Sequence, residues 1–213
     1  MGFVAERKVA GEVSYYFLDD EPEHEYRRIV GGIGWEGKRP GFSVVLGEDF
    51  KTDDAGIHHL FILKEYESSD TVDLLKRCLI FTRHYKVKPW SADTENKIEM
   101  GFLDKLNKGI NYRFQLLIDK GPFSDDPRAF DYCLKIIEKV LSPHKTLHFG
   151  EESSIPAYLQ EINPENQDRL RVNDYPAIVA LGYAVGYLNT YEPTEPFSGG
   201  DDEKANEYDP LED

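Results

Sequence analysis

The chain has 213 residues, of which 40% are hydrophobic and 13% aromatic, enough for one sizeable core and too many for wholesale disorder. Forty acids against 25 bases give a formal charge of −15. That balance excludes a general phosphate-binding surface, because non-specific affinity for nucleic acid comes mostly from Lys and Arg displacing counterions; nucleic acid would have to be met by a local basic patch or through metal ions.

Residues 1–25 read as a lead-in arm packed on the main domain, with one strand-like run over 13–18 and an acidic turn, Asp19-Asp20-Glu21-Pro22-Glu23. The β-branched, glycine-rich residues 28–35 read as a strand. A second, over 41–47, is entered through Pro40, and a third, over 57–66, follows the turn signal Asp53-Asp54-Ala55-Gly56. Three strands in a row predict an antiparallel meander. The period then changes to 3.6. Ser69 or Asp70 can cap a helix with the apolar stripe Val72, Leu75 and Leu79. A short strand over 88–92 precedes an amphipathic helix over 95–107 that turns Ile98, Phe102, Leu103 and Leu106 inward, and a strand over 114–118 follows.

Asp126 before Pro127 is a helix start, and that helix buries Phe130, Cys133, Leu134, Ile137 and Leu141 until Pro143 stops it. After an extended 146–149 and a small helix over 155–162, Asn173 or Asp174 starts a last helix that ends near 191–193. It is apolar all round, so deep burial is expected. The order β-β-β-α-β-α-β-α implies an α/β fold, a mixed sheet with helices on both faces. The main domain is expected over 26–197. Residues 198–213, seven acids against one lysine behind Gly199-Gly200, read as a disordered acidic tail. Such a tail solubilises the chain or, alternatively, mimics DNA and occupies the site.

Cys78 and Cys133 lie in apolar helical patterns without a CxxC pair, so buried free thiols of a reducing compartment are expected. No apolar run of signal-peptide length opens the sequence, and Glu6 stands where a myristoylation signal wants Ser or Thr. The longest uncharged apolar stretch, 175–190, is shorter than the roughly 18–20 residues of a membrane span. A cytoplasmic protein with no membrane partner is the expectation.

Gly32-Ile33-Gly34-Trp35-Glu36-Gly37-Lys38 matches the G-x-x-x-x-G-K of a phosphate-binding loop, but Arg39 replaces the metal-holding hydroxyl, and a strand follows where a helix is needed. It reads as a turn. His58 and His59 are neighbours in a strand and point to opposite faces, so they cannot chelate one ion together. No HExxH, CxxC or GxSxG string occurs.

Carboxylates at element ends carry more. Asp93 and Glu95 follow the strand over 88–92, Asp174 stands at the head of the last helix, and Glu36 lies just past the strand over 28–35. The carboxyl ends of strands in an open α/β sheet are where ligands sit. Carboxylates converging there from three elements suit a pair of Mg2+ or Mn2+ ions, which prefer oxygen ligands and can activate water against a phosphodiester. The competing reading is that Asp93 and Asp174 only cap their helices.

Several strings resemble the RNase H-like C-terminal nuclease domain of the large terminase of tailed phages. IVGGIGWEGKRPGFSVVL, residues 29–46, is similar to its opening hairpin, where a glycine-hydrophobic-Asp-Trp-Gly run precedes the second strand. SADTENK, residues 91–97, is similar to its second acidic motif, and Asn173-Asp174-Tyr175 leading into Ala180-Leu181-Gly182-Tyr183-Ala184 to its closing helix. The resemblance implies metal-dependent phosphodiester hydrolysis of double-stranded DNA during genome packaging, with Asp93, Asp174 and Glu36 as metal ligands and catalytic residues. Lys120 is a candidate phosphate contact. It also implies phage or prophage origin in a bacterial cell and, since no ATPase half is present, a separate ATPase motor chain or portal as partner. The departures are equally specific. Gly34 stands at the family's metal-binding Asp, and Val179 at the acid before the Ala-Leu-x-Tyr-Ala string. They imply an alternative, a catalytically degenerate RNase H-like module acting through protein contacts in a packaging or mobile-element assembly.

Overall fold

In the computed structural model of the chain, the residues described are 4–10 and 13–18 (backbone only), 25–53, 56–108, 110–111, 115–122, 124, 126–141, 146–162 and 174–188. The acidic turn at 19–23, Phe114, Asn173 and the acidic tail lie outside them.

The strands are β1 (Val4–Ala10), β2 (Val13–Leu18), β3 (Tyr26–Gly34), β4 (Gly41–Thr52), β5 (His58–Ser68), β6 (Trp90–Ala92), β7 (Ile118–Lys120) and β8 (Leu147–Gly150). The helices are α1 (Thr71–Tyr85), α2 (Lys97–Asn107), α3 (Ala129–Leu141), α4 (Ile155–Glu161) and α5 (Pro176–Tyr187). The strands form one mixed sheet in the order β1-β2-β8-β5-β4-β3-β6-β7. β3, β4 and β5 are the expected antiparallel meander. β6 then pairs parallel to β3, and β7 parallel to β6, so the carboxyl ends of these three strands share one edge of the sheet. On the other flank β8 runs parallel to β5, and β2 parallel to β8.

Helices cover both faces. Val30, Phe42, Val44 and Leu46 pack against α3 and α5 on one face; Ile33, Trp35 and Val45 pack against α1 and α2 on the other. This is the period-2 alternation of strands buried on both sides. Asp70 caps α1, its side chain accepting from the Val72 amide at 2.8 Å. In α5 every residue from Pro176 to Val185 is buried, as its unbroken apolar run predicts. Both cysteines are buried and free. No helix among the described residues is long and apolar enough to cross a membrane.

Four expectations are corrected. Ile98, expected inward on α2, is 72% exposed; of that stripe Leu103 is buried and Phe102 and Leu106 are half-buried. β1 was not anticipated, because its sequence VAERKVA carries three consecutive charged residues, Glu6-Arg7-Lys8, in place of alternating apolarity. β7 lies at Ile118–Lys120 rather than 114–118; its place is set by pairing of Ser91 with Asp119, not by its own apolar content. α3 begins at Ala129, because Asp126 closes the preceding turn through Arg128 N–H at 2.8 Å.

Candidate functional site

The Gly32–Lys38 run ends β3 and turns directly into β4, so the helix a phosphate-binding loop requires is replaced by a strand. The turn is instead a junction between the sheet and α5. α5 lies across β3 with its head at the strand's carboxyl end. A Cβ on Gly32 would be 1.8 Å from the Ala180 carbonyl oxygen, and one on Gly34 would be 2.0 Å from that of Pro176. Only a residue without Cβ allows helix backbone to approach strand backbone this closely.

The far end of α5 is also fixed. Arg28 on β3 donates to the Leu188 carbonyl at 2.5 Å, at the helix C-terminus where positive charge is favoured. The same guanidinium holds Glu48 of β4 through two hydrogen bonds of 2.6 and 2.8 Å, and Glu48 is fully buried. The Glu48 hydrogen bond raises the Arg28 pKa above its ordinary value against the opposing effect of burial.

Glu36, Asp93 and Asp174 all lie at the edge where β3 and β6 end. Trp35 Nε1–H donates to the Asp93 backbone carbonyl at 2.7 Å, tying the β3 turn to the end of β6. Asp93 Oδ1 accepts from the Glu95 amide at 2.9 Å, a local turn; the cap of α2 is Asn96. Glu36 is exposed. Asp174 is buried and does not cap α5, whose N-cap is Tyr175 with no side-chain bond. Its Oδ1 is 2.7 Å from Lys38 Nζ. Lys120 lies at the end of β7, 3.7 Å from Glu95. Val179 is buried in the α3–α5 core.

Arg39, next to Lys38, forms an ion pair with Glu161 of α4 and lies over the rings of Tyr158 and Tyr175, at 5.2 and 4.5 Å. The hydrogen bond to Glu161 raises its pKa. Burial, with a hydrogen bond from its hydroxyl to Glu67, pushes the Tyr158 phenol up to about 12. The Lys38 side chain is 79% exposed and that of Arg39 33%; nothing local in the sequence signals partners so far along the chain.

No protein-family model and no curated protein matches the chain. Among solved structures it is similar to the large terminase of the thermophilic bacteriophage D6E, with a TM-score of 0.55 and 13% identity over 81% of this chain and 42% of that one. It is also similar to the large terminase nuclease domain of bacteriophage SPP1, solved with bound Mn, with a TM-score of 0.51 and 19% identity over 76% and 88% of the two chains. The fold is therefore the RNase H-like fold of large terminase nuclease domains, and the chain spans less than half the length of the D6E protein.

Among the described residues, the acids at this edge do not fit a divalent-metal pair. Glycine at 34 offers no ligand and its side-chain space holds the Pro176 carbonyl; Val179 is apolar and buried; Asp174 faces an ammonium. Among the described residues no three His, Cys, Asp or Glu side chains are grouped so that they could hold a metal ion. Glu36, Asp93 and Asp174 thus share an edge without forming one cluster.

Proposed function

We propose that the chain is a terminase-type module of a DNA-packaging assembly that keeps the nuclease fold without its hydrolytic metal centre, and acts through contacts with the packaging machine, such as a separate ATPase motor chain or portal. The observation that carries this reading is the seating of the Pro176 carbonyl oxygen 2.0 Å from where a Gly34 Cβ would be. An acid there would require α5 to move off the sheet. The formal charge of −15 supports the same reading, since phosphate repels such a surface unless cations intervene.

A second reading, Mg2+- or Mn2+-dependent cutting of double-stranded DNA centred on Asp93 with Asp174 and Glu36, is favoured by the place of Asp93 at the end of β6 beside Trp35. Incubating supercoiled plasmid with the chain in millimolar Mn2+ or Mg2+ separates the two. The proposal expects no nicking above that of the Asp93→Ala variant. Nicking that Asp93→Ala abolishes would overturn it in favour of the enzyme.

A further inference from the structure

The head of α5 is strapped to the β3–β4 turn by two adjacent basic residues acting on two adjacent partners. Lys38 meets the Asp174 carboxylate, and Arg39 lies over the Tyr175 ring while paired with Glu161. The turn is closed by a hydrogen bond of 3.0 Å from the Gly37 amide to the Arg39 carbonyl, which fixes where Lys38 starts. The exposures of the ion pair are unequal: the Lys38 side chain is 79% exposed and that of Asp174 only 8%. The ammonium therefore reaches a nearly buried carboxylate from the solvent side, along the direction from which any cation in solution would approach.

A carboxylate removed from water this far requires positive charge beside it. That charge can be a diffusible divalent ion or one attached to the chain. We infer that Lys38 is a built-in counter-ion which takes the place of a divalent cation at Asp174, so that the junction of α5 with β3 holds without metal and a divalent ion is kept off this carboxylate. The inference rests on the reading of a dismantled hydrolytic centre and deepens it, by naming a group that pairs with one of its acids, Asp174.

Thermal unfolding of the whole chain, with EDTA and with millimolar Mn2+, tests it. The wild type and Lys38→Arg, which keeps the charge, are expected to melt within about 1 °C of each other in the two conditions. Lys38→Met, which keeps the aliphatic stem, should melt lower in EDTA and regain about 2–4 °C with Mn2+. The Lys38→Met/Asp174→Asn double variant should show no response to Mn2+. A wild type stabilised by Mn2+ as strongly as Lys38→Met, or a Lys38→Met response no larger than that of the double variant, overturns the inference. Plasmid cutting by the wild type would overturn the proposed function instead, and the two failures are read from separate measurements.

Discussion

Gly34 and Pro176 are in backbone contact: a Cβ on the glycine would lie 2.0 Å from the proline's carbonyl oxygen. Because α5 is buried from Pro176 to Val185 and Arg28 grips its other end, the helix has no free direction in which to yield. The absence of a side chain at residue 34 and the close packing of α5 are thus one structural feature.

Gly34→Ala and Gly34→Asp should each destabilise the chain by about 2–4 kcal/mol, the cost of overpacking a site that cannot relax. Urea unfolding measures it. Gly101, in α2, has nothing within 4 Å of its added Cβ. Gly101→Ala should therefore stabilise by about 0.5–1 kcal/mol through helix propensity alone.

Arg28→Ala should cost about 2–3 kcal/mol in the same assay, because it leaves Glu48 buried without its guanidinium and removes the bond to the Leu188 carbonyl. The cost is below that of a fully buried pair, since Arg28 is partly exposed. Lys120→Ala, which breaks an exposed 3.7 Å pair with Glu95, should change stability by less than about 0.5 kcal/mol.

Alkaline pH should destabilise the fold. Burial raises the Cys78 and Cys133 thiols from 9.0 to about 12, and burial with the Glu67 bond raises Tyr158 from 10.0 to about 12. Each group favours its neutral form when folded. Its contribution is complete below the unfolded pKa and is lost as pH rises toward about 12. Unfolding midpoints followed upward from pH 9 should fall, and fall less steeply in the Cys78→Ala/Cys133→Ala double variant. A thiol reagent at neutral pH should label neither cysteine until the chain unfolds.

The meander, α1, α2 and the burial of α5 were legible in the sequence because turn signals and apolar periodicity are local. β7 was not, since a three-residue strand takes its register from β6. At the site, Gly34 and Val179 were visible as departures from a pattern, and Asp93 was correctly put at a strand end. What stayed hidden was the pairing of Lys38 with Asp174 and of Arg39 with Glu161, which depends on α4 and α5 folding back over the β3–β4 turn. The capping reading of Asp174 failed for the same reason: its carboxylate answers to a distant lysine rather than to its own helix.

Crystals of the whole chain grown in millimolar MnCl2, with anomalous scattering recorded around Asp93 and Asp174, test the central claim most directly. The account predicts Lys38 Nζ against Asp174, α5 seated on Gly34, and no manganese shared by the two carboxylates. A manganese ion bridging Asp93 and Asp174, with Lys38 displaced into solvent, would contradict it.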